Sequence, residues 1–212
     1  RATITAGVLE WNRAFEKIGY KDAVQVKIQP DDADFDTLDA RHASIRFLAT
    51  ARPLFGGIGP TQVDPRTGEI LDADIAIDPV RIRNRRAAHA DLLSASKTAD
   101  ADTLFPQTYL CLREDFAAQE EGFALDLMEA RGDMEPGSAA EQQFILDDLK
   151  DVVMHEVGHT LGLTHNFRAS TIYTRAELDD PAFTRTHGLA GSVMEYNAIN
   201  IAMKGERQGS FS

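Results

Sequence analysis

Three histidines and a glutamate stand close together between residues 155 and 165, at spacings that suit metal chemistry. His155 and His159 are four residues apart, so on a helix both imidazoles leave the same face, one turn above each other, and can reach a single ion. Glu156 points to a different side of such a helix, where it is poorly placed as a ligand but well placed to take a proton from metal-bound water. The sequence therefore predicts a metal site with its own general base.

Two residues beyond this helix complete the pattern. Gly162 can adopt the left-handed conformation that ends a helix, and the chain can then turn so that His165 approaches the same ion from another direction. Three protein ligands leave a fourth position open for water, which is typical of catalytic zinc rather than structural zinc. A pair of histidines with a glutamate also occurs by accident on helix surfaces, but the addition of Gly162 and His165 strongly favours a Zn²⁺ site.

The segment from His155 to His165 resembles the long zinc signature of the metzincin metallopeptidases, whose second hallmark is a methionine turn downstream. Residues 192–196 of this chain read Ser-Val-Met-Glu-Tyr. The resemblance implies that Met194 packs beneath the zinc-binding histidines without ligating the ion, although a methionine alone is ordinarily core packing. It also implies that Tyr196 helps to hold the oxyanion formed during hydrolysis, as in the astacin and serralysin branches.

A closer resemblance covers most of the chain, from about Gly7 to Lys204. Residues 10–16, 64–71 and 165–167 together look like the catalytic domain of large bacterial zinc-dependent metalloproteases, most of them uncharacterised. Asn166 departs from the better-studied metzincin branches, so the subfamily and the substrate stay open. The resemblance also implies a strand upstream of Arg1, and we expect the chain to be part of a larger protein, truncated at both ends.

Composition favours a compact enzyme domain and disfavours several kinds of partner. The 212 residues, 43% of them hydrophobic and 26% charged, suffice for one domain with its own core. No run approaches the roughly 18 apolar residues of a membrane span. The net charge of −12 disfavours nucleic acid and anionic membrane surfaces, which bind basic patches. We expect a secreted, periplasmic or cell-envelope location.

Local patterns predict the elements that must position these residues. The predicted helices span residues 7–20, 79–96 and 138–161, and a capping box of Ser138 and Glu141 opens the last of them. The predicted strands span residues 24–28, 44–51, 61–63, 69–77 and 108–112, with a hairpin turn at residues 64–68. One side of the last helix should pack on the sheet, and it carries Ile145, Leu149, Val153 and Val157.

These elements predict an α/β (α+β) fold of metzincin type. We expect a mixed, twisted sheet with two long helices and a small C-terminal lobe, with zinc at the floor of the cleft between the lobes. Residues 1–165 would form the first lobe and residues 166–212 the second, together one catalytic domain. In this family the substrate lies extended along an exposed edge strand and adds to the sheet, and residues 69–77 are the candidate edge.

The predicted function is that of a zinc endopeptidase, in which Glu156 activates a zinc-bound water and Tyr196 supports the oxyanion. Two alternatives stay open. One is a non-catalytic, zinc-bearing module that binds proteins or glycans, against which the intact Glu156 argues. The other is a zinc hydrolase of non-peptide amides. An extended strand beside the metal would favour peptides as substrates, whereas a closed pocket would favour small molecules.

Overall fold

The computed structural model describes residues 1–49, 57–79 and 113–212. The predicted helix at 79–96, beyond its first residue, and the predicted strand at 108–112 lie outside the described residues. The described helices are α1 (Ala2–Lys17), α2 (Arg113–Arg131), α3 (Ala139–Thr160), α4 (Arg175–Leu178) and α5 (Pro181–His187), with a 3-10 turn at Ala169–Thr171. The described strands are β1 (Ser44–Phe47), β2 (Gly57–Ile58), β3 (Thr61–Val63) and β4 (Ile70–Ile77).

Strand β4 is the centre of a small mixed sheet. It runs parallel to β1, with Ser44 opposite Asp74 and Phe47 opposite Ile77. It runs antiparallel to β2 and to β3. A mixed sheet combined with long helices confirms the predicted α/β class.

The prediction that residues 69–77 form an exposed edge is wrong. Strand β4 lies between β1 and β2 in the strand order, so both of its sides take part in backbone pairing. The predicted hairpin is confirmed, because β3 and β4 pair across a turn in which the Asp64 N–H donates to the Glu69 carbonyl over 2.9 Å. Gly68 supplies the left-handed backbone of that turn, at φ +76°.

The prediction of a strand at residues 24–28 is also wrong. The N–H of Val24 donates to the Asn12 side chain over 2.8 Å, and the Val24 carbonyl accepts from the same amide over 2.8 Å. A side chain of α1 thus satisfies the backbone groups that a ladder would otherwise use. Val24 and Val26 still pack against the core, which explains why their apolar alternation resembles that of a strand.

Helix α3, which carries the predicted metal ligands, begins where the sequence predicts. The Ser138 hydroxyl caps it by accepting the Glu141 N–H over 3.2 Å. The reciprocal half of the box differs, because the Glu141 carboxylate accepts the N–H of Gly137 and not that of Ser138. A cap at this position fixes where the helix starts and hence which of its residues face the sheet.

The main core holds α3 against α1 and the sheet. Val153 and Val157 of α3 are buried with Val8 of α1 and with two isoleucines of β4, Ile75 and Ile77. Ile145 and Leu149 pack at the edge of the same cluster, so the predicted inner face of α3 is confirmed. Each fully buried side chain of this kind contributes about 1.5–3 kcal/mol to folding.

Helix α2 was not predicted, so the described part of the chain has three long helices where two were expected. Its buried residues include Ala124, Leu125 and Met128, which pack near Phe144 of α3. Glu121 is only 1% exposed, whereas Phe123 is 56% exposed. Because a charged residue faces inward and an aromatic one faces outward, the apolar periodicity of this segment is obscured.

One described cavity lies away from the histidines. It has a volume of about 660 Å³ and is bounded by α1, residues 24–31, β1 and the end of α3. Its lining includes Val157, Thr160 and Leu161 but none of the three predicted metal ligands.

None of the helices in the described part of the chain combines the length and the apolar character that a membrane span needs.

Candidate metal centre

The end of α3 returns the chain toward the histidines on that helix. Gly162 has φ +87°, the left-handed conformation expected from the sequence. Its N–H donates to the His159 carbonyl over 2.9 Å, and the Leu163 N–H donates to the Gly158 carbonyl over 3.0 Å. This pair of bonds is the Schellman motif, which ends a helix and reverses the chain direction. It brings His165 back beside the last turn of α3.

The structure brings the three predicted ligands together. His155, His159 and His165 each offer a ring nitrogen, and these nitrogens lie within 4.8 Å of one another. The Nε2 atoms of His159 and His165 are 3.1 Å apart. Two histidine nitrogens bound to one tetrahedral zinc at about 2.0–2.1 Å lie roughly 3.3 Å apart. The cluster therefore has the dimensions of a zinc site, and these three histidines could hold the ion.

Backbone carbonyls orient two of the three rings. Nδ1 of His155 donates to the Val193 carbonyl over 2.8 Å, and Nδ1 of His159 donates to the Leu163 carbonyl over 3.0 Å. A carbonyl only accepts, so each Nδ1 carries the proton and each Nε2 carries the lone pair that binds a cation.

The surroundings of the third ring lower its pKa. Burial and the nearby charge of His159 lower the pKa of His165, while the negative charge of Glu195 opposes that change. Neutral imidazole is the form that ligates metals, so the lowered pKa favours binding.

Met194 lies directly against the turn of α3 between His155 and His159. Its side chain is 1% exposed, and a Cβ placed on Gly158 would come within 2.3 Å of its sulfur. The Met194 carbonyl also accepts the N–H of Asn166 over 2.8 Å, next to the third histidine. Only a glycine at position 158 allows Met194 to approach the helix this closely.

Tyr196 also reaches the cluster. Its hydroxyl lies 3.1 Å from Nε2 of His165, and the two ring centres are 4.7 Å apart. Phe167 packs on both rings, at 5.0 Å from Tyr196 and 5.4 Å from His165, yet it is 58% exposed. No spacing pattern assigns Phe167 to the site, and its only signal is its place two residues after His165.

Glu156 is fully buried beneath strand β2. A Cβ on Gly57 would lie 3.0 Å from Cγ and from Oε1 of Glu156, and one on Gly59 would lie 2.7 Å from the Glu156 carbonyl oxygen. Backbone without side chains therefore covers this carboxylate. In the sequence the two glycines indicate only a chain break, because their contact with Glu156 spans distant parts of the chain.

Two of the remaining histidines lie outside the cluster. His42 stacks on Phe35 at 4.0 Å between ring centres. Nδ1 of His187 donates to the Phe183 carbonyl over 3.1 Å. The third, at position 89, lies outside the described residues. Neither His42 nor His187 belongs to the histidine cluster at the end of α3.

One family model matches the part of the chain that carries this site. Residues 137–212 match the family described as Met-zincin, and this range includes α3, the three histidines, Met194 and Tyr196. No curated protein and no solved structure matches the chain. The resemblance to metzincin-type metallopeptidases is therefore confirmed over residues 137–212. A relation to large bacterial metalloproteases in particular stays a prediction.

Proposed function

We propose that this protein is a zinc-dependent endopeptidase. The observation that carries the proposal is the convergence of His155, His159 and His165, within a segment that matches the Met-zincin family. Imidazole ligands suit zinc, and three of them leave one coordination position open for chemistry. In this proposal Gly162 and Met194 hold the ligands in place, and Glu156 and Tyr196 act on the substrate.

Bound zinc would supply a Lewis acid that polarises the scissile carbonyl and lowers the pKa of water toward about 7. Glu156 then accepts the proton of the attacking water and passes it to the leaving amine. The Tyr196 hydroxyl donates a hydrogen bond to the oxyanion as negative charge develops there.

The surroundings of Glu156 favour peptides over small amides as substrates. Strand β2 lies at one end of the described strand order and directly against the Glu156 carboxylate. An extended peptide can pair with such a strand through its backbone, which supplies affinity for any sequence. The 660 Å³ cavity, which would suit a small molecule, is not lined by the three histidines. We propose β2, in place of the incorrectly predicted β4, as the strand that guides the substrate.

The proposal is tested by incubating the zinc-loaded protein with a diverse peptide mixture and reading new termini by mass spectrometry. We expect internal cuts that disappear when the metal is removed and return when zinc is restored. Stoichiometric zinc without any cleavage would support the alternative, a zinc-bearing module that binds proteins or glycans. Hydrolysis of simple N-acyl amides without cleavage of peptides would support the other alternative, an amide hydrolase.

A further inference from the structure

Glu195 is a buried carboxylate that the proposed mechanism does not use. It stands between Met194 and Tyr196 in the chain, and it is only 5% exposed. Burying a charged group is unfavourable unless it has polar partners. Both carboxylate oxygens of Glu195 have such partners, and these partners lie in two different segments of the site.

One carboxylate oxygen of Glu195 accepts the N–H of Ser170 over 3.1 Å, and the other accepts the N–H of Tyr196 over 3.0 Å. Ser170 belongs to the 3-10 turn that follows His165. Glu195 thus connects the segment that carries the third proposed metal ligand with the segment that carries the proposed oxyanion donor. Hydrogen bonds to a charged acceptor are stronger than those between neutral groups.

Other bonds join the same two segments on either side of Glu195. The Asn166 N–H donates to the Met194 carbonyl over 2.8 Å, and the Gly191 N–H donates to the Ala169 carbonyl over 3.0 Å. These bonds involve only backbone atoms, so any sequence of the same fold can make them. Glu195 differs from these backbone bonds because it joins the two segments through a side chain, and that side chain carries a negative charge.

The charge of Glu195 is suited to a bound cation. Three neutral histidines leave the two positive charges of a zinc ion uncompensated, and Glu195 adjoins Tyr196, whose hydroxyl lies 3.1 Å from Nε2 of His165. A buried anion beside a metal site increases affinity for the cation and fixes the direction from which its ligands approach. Nothing in the direct ligand set supplies that negative charge.

We infer that Glu195 is a positioning residue that holds His165 and Tyr196 at the metal and strengthens zinc binding through its charge. The inference rests on the proposed zinc site. A merely structural anchor would stabilise the fold of the C-terminal segment but would leave the zinc affinity of the folded protein unchanged. The two roles therefore differ in a quantity that does not depend on catalysis.

The test is the zinc dissociation constant of Glu195→Gln, measured by competition with a chromophoric chelator. Glutamine keeps the size of the side chain and removes the charge. We expect affinity to fall by about 10- to 100-fold, the range typical for loss of a group that supports a metal ligand. Glu177→Gln is the matched control, because Glu177 also accepts a backbone N–H, that of Thr174 over 2.7 Å, but in the capping box of α4. Its zinc affinity should equal that of the wild type.

The wild-type protein distinguishes failure of the proposed function from failure of the role inferred for Glu195. If the wild type binds no zinc, the proposed function fails; if it binds zinc and folded Glu195→Gln binds within about twofold of it, only this inference is overturned. Should Glu195→Gln not fold, Glu195→Asp keeps the charge but shortens the reach to Ser170. We then expect a changed visible spectrum of the cobalt-substituted protein together with a lower kcat, and an unchanged spectrum and kcat would overturn the inference.

Discussion

Tyr196 is the residue whose proposed role is easiest to isolate from metal binding. Its hydroxyl lies 3.1 Å from Nε2 of His165, so it is close enough to reach an oxygen held beside the metal. Tyr196→Phe removes the hydroxyl and keeps the ring that packs on His165 and Phe167. We expect kcat to fall by about 10²- to 10³-fold, the loss typical for one oxyanion donor, while KM and zinc content stay near those of the wild type.

Steady-state kinetics on a single cleaved peptide check this prediction, with zinc content measured on the same sample. Tyr173→Phe is a suitable control, since that tyrosine packs on Phe183 and not on the histidine cluster. A kcat of Tyr196→Phe within about threefold of the wild type would show that the hydroxyl is not needed for the reaction.

At the scale of single residues, the sequence predicted those groups whose meaning depends on local spacing. His155, His159 and Gly162 lie on one helix and its end, where offsets in sequence translate directly into directions in space. Glu195, Gly57 and Gly59 were not assigned to the site. The two glycines touch Glu156, and Glu195 accepts a hydrogen bond from Ser170. These partners lie far away in the sequence, and no local pattern encodes such contacts.

At the scale of elements, Gly158 sets the distance between α3 and the methionine turn. A methyl group at this position would come within 2.3 Å of the Met194 sulfur. Replacing a helical glycine by alanine normally stabilises a helix by up to about 1 kcal/mol. We expect Gly158→Ala to do the opposite and to lower the free energy of unfolding by roughly 1–3 kcal/mol, the cost of overpacking.

Chemical denaturation of the metal-free proteins measures this change. The double variant Gly158→Ala with Met194→Ala is the control, because removing the methionine side chain also removes the clash. The double variant should be more stable than the sum of the two single effects predicts. Additive effects would mean that Gly158 and Met194 do not constrain each other.

Strand β2 approaches the Glu156 carboxylate closely at Gly57, where an added Cβ would have little room. In Gly57→Ala the new Cβ would lie 3.0 Å from Cγ and Oε1 of Glu156, and also 3.0 Å from Val152. We expect the carboxylate to shift, so that kcat falls by at least about tenfold while zinc binding is retained. Val63→Ala, at an exposed position of β3, serves as the control, and the result is measured as kcat and zinc content. Equal kcat values for Gly57→Ala and the wild type would contradict the proposed contact between β2 and the general base.

The elements themselves were predictable to different degrees. Helix α3 and the β3–β4 hairpin were predicted because a serine cap, a left-handed glycine and a turn sequence mark their ends locally. The central place of β4 was not, because strand order depends on which distant segments pair with it. Helix α2 was missed because its buried Glu121 and exposed Phe123 invert the usual pattern.

At the scale of the whole molecule, the metal would tie the end of α3 to the segment that follows it. Two ligands lie on the helix and the third lies beyond Gly162, so zinc binds the folded chain much better than the unfolded chain. When free zinc exceeds its dissociation constant about 100-fold, this linkage stabilises the fold by about 2.7 kcal/mol. For a chain of this size that corresponds to a rise in Tm of roughly 5–10 °C.

Thermal unfolding with zinc and after chelation tests the linkage. The wild-type Tm should fall when the metal is removed, whereas a His165→Ala variant should show a much smaller difference between the two conditions. Identical wild-type curves with and without stoichiometric zinc would mean that the ion does not bind the folded state preferentially.

Two expectations for the whole molecule stay predictions. One is the division into two lobes between residues 165 and 166, and the other is a location outside the cytoplasm.

Glu156→Gln separates the proposed chemistry of Glu156 from metal binding by the three histidines. Glutamine keeps the side-chain volume beneath β2 but cannot accept the proton of water. Zinc stoichiometry and peptide turnover are measured together on Glu156→Gln, on His165→Ala and on the wild type. We predict one bound zinc with turnover reduced by at least about 10³-fold for Glu156→Gln, and loss of both zinc and turnover for His165→Ala. Substantial turnover by zinc-loaded Glu156→Gln would contradict the proposed mechanism.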